Sequence, residues 1–175
     1  MIKKIVITGA PSTGKTTIIN ALKKEGYSCA EEISRELIAE QIDIGGNILP
    51  WKDQIAFENQ IANIRTLQYL TIPEDCICFF DRSALDCIAY LKLNNLEATT
   101  QIIENIKKCN FNKTVFYTPI WKEIYVNDSE RKENIEKAIK IENVIINTYR
   151  SKGYELIKIP KLPITERVDF IISKI

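Results

Sequence analysis

Nine consecutive residues carry the strongest chemical signal in this chain: Gly9-Ala10-Pro11-Ser12-Thr13-Gly14-Lys15-Thr16-Thr17. The first eight match G-x-x-x-x-G-K-[ST], a phosphate-binding loop. Two glycines let the backbone turn tightly and approach an anion closely. Successive N–H groups then form a concave nest for phosphate oxygens. The first turn of a following helix adds unpaired N–H groups and the positive end of its dipole. Lys15 brings a point charge for β- and γ-phosphates, and the Thr16 hydroxyl suits Mg²⁺. Gly9, Pro11, Ser12, Thr13, Gly14, Lys15, Thr16 and Thr17 are therefore the candidate nucleotide-binding residues. A plain Gly/Ser/Thr turn before a capped helix is the bland alternative.

Further candidates stand elsewhere. Asp81 ends the apolar run Cys76-Ile77-Cys78-Phe79-Phe80. A carboxylate there can hold Mg²⁺ beside Thr16, or merely cap the next helix. Arg82 follows; it either grips phosphoryl charge or makes a surface ion pair. Ser83 and Asp86 have capping-box spacing, with Asp86 also a candidate to face the site. Glu31-Glu32 precede Arg35, which lies three residues beyond Glu32. This pair offers a base for a substrate hydroxyl and a clamp for a substrate anion, or an ordinary i, i+3 ion pair. Arg131 lies in the polar stretch Asn127–Lys132, either closing over phosphates or beginning a solvated helix; Lys122 and Lys132 are weaker candidates. Trp51 and Trp121 read as core packing rather than as ligand contacts.

These residues need elements to position them. A β-branched run over 2–8 reads as a buried parallel strand. Apolar positions 18, 19 and 22 predict a helix over about 15–25, ended by Gly26. Strands follow at 27–30, 76–80, 113–117 and 154–159. Helices are predicted over 33–42, 50–70 with Pro50 in its first turn, 83–93, 97–108, 130–151, and after Thr165 as cap. The alternation predicts one α/β domain over 1–175: a three-layer α/β/α P-loop NTPase fold of about five parallel strands. Every motif then falls at a strand's carboxyl end, where such sheets bind ligands. With the second strand near the first, Glu32 and Arg35 would stand opposite the phosphate loop.

Composition bounds the partners. The chain has 175 residues, 45% of them apolar, and a net charge of +1 from 24 basic and 23 acidic groups. That balance argues against a large nucleic-acid face or a basic membrane patch. Histidine is absent, which removes His-based catalysis and His metal sites. The six arginines are Arg35, Arg65, Arg82, Arg131, Arg150 and Arg167. The five cysteines, without a C-x-x-C, read as reduced thiols. No signal peptide and no span-length apolar run is evident, so the expected compartment is the cytoplasm. Oligomeric state is not encoded in any pattern here.

Taken together, Gly9–Thr17, Glu32-x-x-Arg35-Glu36, Leu49-Pro50-Trp51-x-Asp53, Phe79–Ser83 and Trp121-x-Glu123-Ile124-Tyr125-x-x-Asp128-x-Glu130-Arg131 resemble the compact AAA-domain family of P-loop proteins. That family includes the ribosylnicotinamide kinase domain of a bacterial NAD regulator and a GTP- and phosphoinositide-binding relative. Asp81-Arg82-Ser83 is also similar to the signature of deoxynucleoside and thymidylate kinases. The resemblance implies that Glu32 activates an acceptor hydroxyl and that Arg131 is a lid arginine. With no Asn-Lys-x-Asp element to read guanine, adenine is the expected base, near the Ile159–Pro163 loop. The expectation is an ATP- and Mg²⁺-dependent kinase of a small-molecule acceptor, with catalytic Lys15, Glu32, Asp81, Arg82 and Arg131. Substrate contacts fall to Glu32, Arg35 and Arg82, and metal contacts to Thr16 and Asp81. A nucleotide-binding ATPase or GTPase switch with a protein or lipid partner is the alternative.

Overall fold

The computed structural model describes residues 3–121 and 135–175. Its elements run β1 (Lys4–Gly9), α1 (Lys15–Lys24), β2 (Ser28–Ala30), α2 (Ser34–Asp43), α3 (Gln54–Thr71), β3 (Cys78–Asp81), α4 (Ala84–Leu93), α5 (Thr100–Lys107), β4 (Thr114–Thr118), α6 (Ile135–Ser151), β5 (Glu155–Lys158) and α7 (Ile164–Ile172). The five strands form one sheet in the order β2-β3-β1-β4-β5, every neighbouring pair parallel. This is the predicted three-layer α/β/α arrangement.

All six residues of β1 are buried, as a central strand covered on both faces requires, with Ile5-Val6-Ile7 its apolar centre. Successive side chains point to opposite faces. Ile5, Ile7, Phe79 and Phe116 pack with α1 and α7 residues such as Ile18, Leu22 and Val168. Val6, Phe80 and Val115 pack on the other side with residues from α3, α4, α5 and α6, among them Ile61, Leu91, Ile102 and Ile141. The sheet is thus covered on both faces, and its polar ligands are left to the strand ends.

Four expectations change. β2 is not beside β1; β3 lies between them, all four of its residues buried as an interior place requires, while β2 at the edge is partly exposed. α3 begins at Gln54, not at Pro50. Asp53 caps it, accepting from Ala56 N at 3.0 Å. Pro50 sits in a turn whose Leu49 carbonyl accepts from Lys52 and Asp53. α7 is capped at Pro163, so Thr165 lies within its first turn. Trp51 is 64% exposed and does not pack in the core, because the turn that carries it buries Leu49 instead.

Candidate active site

The carboxyl ends of β1, β2 and β3 meet at one cleft of about 630 Å³. Pro11 through Thr17 line it, together with Glu31, Glu32 and Arg35 from the segment after β2, Asp81 and Arg82 at the end of β3, and Arg167 from α7.

The loop's shape follows from its residues. Gly9 leaves β1 with φ 145°, and a Cβ there would overlap Thr118 Oγ1 and come within 2.7 Å of the Thr118 carbonyl oxygen. Only glycine fits that conformation and that space. Gly9 therefore lies beneath the cleft rather than on its surface. Ser12 takes φ 60°. Gly14, at φ 85°, caps α1, which leaves the helix's first N–H groups facing outward. The Thr13 hydroxyl donates to the Ala10 carbonyl at 2.8 Å and shares a 2.6 Å bond with Thr118 Oγ1, tying the loop to β4. Lys15 Nζ donates to the Ala10 carbonyl at 2.7 Å. Burial, reinforced by the nearby Arg82 charge, lowers its pKa to about 7, although Asp81, Asp86 and Glu32 pull the other way.

At the end of β3, Asp81 is 3% exposed, and its Oδ1 has no hydrogen-bond partner among the described residues. Burial raises its pKa against the pull of Lys15 and Arg82. Arg82 has φ 76°, a strained setting for a non-glycine residue. Two anchors hold it there. Its N–H donates to the Ile7 carbonyl at 3.0 Å. Its Nη1 donates to Asp86 Oδ1 at 3.4 Å.

Asp86 has no exposure at all and does not face the cleft. It completes the predicted capping box, accepting from Ser83 N at 2.9 Å. It also accepts from the Thr8 hydroxyl at 2.5 Å and the Tyr149 hydroxyl at 2.6 Å. Burial opposes its charge, but Arg82, Arg65 and these donors hold its pKa below the usual carboxylate range.

Glu32 reaches the cleft from β2, one strand further off than expected. Its Oε1 accepts from Ser34 N at 2.8 Å and lies 3.5 Å from Arg65 Nη2. Burial alone would raise its pKa; Arg65, Arg82 and the Ser34 bond outweigh that and hold it near 2. No ion pair joins Glu32 to Arg35 among the described residues; Arg35 is exposed and lines the cleft. Arg131, Lys122 and Lys132 lie outside the described residues.

A family model described as AAA domain matches residues 4–167. The chain belongs to that AAA domain family. No curated protein matches it. Solved structures share its fold. Deoxyadenosine kinase from M. mycoides, solved with dCMP and a flexible dCDP as products, is 19% identical with a TM-score of 0.69, covering 98% of this chain and 97% of that one. NadR protein in complex with NR is 15% identical with a TM-score of 0.73, and the match covers 98% of this AAA domain but 51% of the NadR chain. Thymidylate kinase from Candida albicans is 14% identical with a TM-score of 0.67, over 98% and 90% of the two chains.

The structure adds residues that pattern reading of this AAA domain passes over. Arg65 and Glu58 occupy the buried stripe of α3 with Phe57, Ile61 and Ala62. Charged residues at apolar-stripe positions were the available signal. Thr118 meets Gly9 only through the β1–β4 register, which no local pattern reveals. Arg167 is 8% exposed, its guanidinium 5.6 Å from the Trp121 ring.

Proposed function

We propose that this AAA domain is an ATP- and Mg²⁺-dependent phosphotransferase acting on a small nucleoside- or nucleotide-like acceptor. One observation carries the reading. A phosphate-binding loop with Lys15 and a carboxylate–arginine set, Glu32 with Arg82, line one cleft of about 630 Å³. A nucleotide-binding site alone has no use for the second half.

The residues fit a divalent cation. Asp81 Oδ1 is buried and without a partner among the described residues, beside the Thr16 end of the loop. Among the described residues no cluster of three or more acidic or thiol ligands exists, so Thr16 and Asp81 would hold Mg²⁺ together with nucleotide phosphates. The ion's contribution is to neutralise charge on the phosphate oxygens. Lys15 and the loop N–H groups bind those phosphates. Glu32 orients an acceptor hydroxyl and receives its proton as the oxygen bonds to the γ-phosphorus and the bond to the β–γ bridging oxygen breaks, releasing ADP. Arg82 stabilises the equatorial charge, Arg35 steadies the acceptor, and Arg131 would add a further cation. Adenine would lie near Ile159–Pro163. A cytoplasmic setting fits such chemistry, and no described helix is long and apolar enough to cross a membrane.

The test is ADP formation from ATP–Mg²⁺ with deoxyadenosine, thymidine, nicotinamide riboside and nucleoside monophosphates offered one at a time. Acceptor-dependent release, lost in Glu32→Gln while nucleotide binding persists, is the expected result. Tight nucleotide binding with no stimulation by any acceptor would overturn the kinase reading in favour of a nucleotide switch.

A further inference from the structure

Arg65 is a buried cation with no part in the phosphoryl transfer proposed for this cleft. It lies on α3 and is 5% exposed. Burying a guanidinium is unfavourable unless charged and polar partners receive it. Its Nη1 donates to the Ser83 carbonyl at 3.1 Å and approaches Cys87 Sγ at 3.7 Å. Its Nη2 lies 3.5 Å from Glu32 Oε1. The Nε has no partner among the described residues. Two of the three nitrogens therefore work, and they work on different segments. One holds the carboxylate that leaves β2; the other holds the backbone next to Arg82. A planar fork presents two nitrogens to the two segments in one fixed geometry, whereas an ammonium would have to serve both from a single nitrogen on a flexible stem.

We propose that Arg65 is a positioning residue of this site, fixing the Glu32 carboxylate against the Asp81-Arg82-Ser83 turn so that Glu32 meets an acceptor hydroxyl in one orientation. This rests on the kinase reading above. The charged and titratable groups around the pair come from each packed element: Asp81 and Arg82 from the end of β3, Asp86 and Cys87 from α4, Glu58 from α3 itself, and Lys15 from α1. With Arg65 and Arg82 both facing it, and Ser34 N–H bonded to it, Glu32 remains a carboxylate far into acid. So weak a base does not remove a proton ahead of attack. It aligns the hydroxyl and takes the proton as the new P–O bond forms, which is what a loose phosphoryl-transfer transition state asks of it. The arrangement favours orientation over basicity, and Arg65 comes first among its causes, ahead of Arg82 and the Ser34 bond.

The test begins with ¹³C-carboxyl NMR of the full chain in EDTA, with Glu32 assigned by loss of its signal in Glu32→Gln. In the wild type Glu32 should not titrate between pH 7 and about 3.5, and Arg65→Met should bring its titration into that window. A wild-type Glu32 titrating near its ordinary 4.5 would overturn the proposal without any variant having to fold. So would an unmoved Glu32 in folded Arg65→Met. Arg65→Lys keeps the charge and loses the fork. With whichever acceptor stimulates ADP release, it should lower kcat at least tenfold while leaving affinity for ATP–Mg²⁺ within twofold; an unchanged kcat would overturn the proposal. If no acceptor stimulates ADP release in the wild type, the kinase reading fails, and the titration still decides whether Arg65 governs Glu32.

Discussion

Replacing Lys15 by Met should make the ligand-free protein more stable while abolishing its response to nucleotide. Lys15 is 7% exposed, and its pKa falls from 10.5 to about 7, through burial first and Arg82 second. That displacement corresponds to about 5 kcal/mol acting against the charged form. Met keeps most of the methylene packing and removes the charge. It also removes the bond from Nζ to the Ala10 carbonyl, worth about 1 kcal/mol. The Ala10 oxygen is not orphaned, since the Thr13 hydroxyl still donates to it at 2.8 Å. Asp81 and Glu32 lose a neutralising neighbour, which returns part of the gain. The net expectation is about 2 kcal/mol of added stability at pH 7, or roughly 4–8 °C in Tm for a chain of this size. The sign with pH follows from the direction of the displacement. A depressed lysine pKa weakens the folded state below 10.5, so wild-type stability from this group rises from pH 7 toward 10.5, and the variant lacks that rise. Urea unfolding in EDTA at pH 7 and 9 measures both. A thermal shift with ATP–Mg²⁺ at 100 times Kd should give about 2.7 kcal/mol for the wild type and none for Lys15→Met. A variant more than about 1 kcal/mol less stable than wild type, or one that keeps the ligand shift, refutes the account of Lys15 as a cation held at a loss for phosphate.

Three other outcomes follow from the same geometry. Gly9→Ala should cost about 2–4 kcal/mol in urea unfolding and lose nucleotide binding, and adding Thr118→Ala should restore only part, because the Thr118 carbonyl still stands 2.7 Å from the new Cβ. Asp86→Asn should lower stability by about 3–5 kcal/mol, since it leaves Arg82 uncompensated and turns an amide toward donors from Thr8, Ser83 and Tyr149; a loss below 1 kcal/mol would contradict the assigned network. Glu58 is 4% exposed, and burial raises its pKa from 4.5 to about 7 despite the Cys87 hydrogen bond. Its stabilising contribution is therefore complete below pH 4.5 and fades by about 3 kcal/mol as pH rises to 7. Glu58→Gln should flatten that portion of the stability–pH curve, and parallel curves for the two proteins would refute the placement.

The fold was readable because periodicity and turn chemistry agreed along most of the chain. A buried β-branched run gave β1, the apolar run closing on Phe79-Phe80 gave β3, and glycines ended α1 and α2 where φ had to be positive. The phosphate loop was readable because its conformation needs glycine at fixed offsets. Strand order was not, since the interior place of β3 depends on sheet-wide packing rather than on neighbours in sequence. Asp53 illustrates the local limit: its residue type suggests a cap, but Pro50 offered an equally good helix start three residues earlier. Arg65 illustrates the distant one. Its partners, Glu32 and Ser83, are 33 and 18 residues away along the chain and come together only in the folded protein.

The place of β1 in the sheet also constrains assembly order. The phosphate loop hangs from the strand that appears first among the five, yet that strand lies in the middle, between β3 and β4. Both of its edges remain open until residues 78–81 and 114–118 have been made. Gly9 cannot be clamped against Thr118, nor Arg82 anchored to Ile7, before then. Fragments truncated ahead of β4 would thus present an apolar strand with an unpaired edge, a template for aggregation. The capacity to grip phosphate is a late acquisition in the folding of this chain, although the loop itself is synthesised before the strands that clamp it.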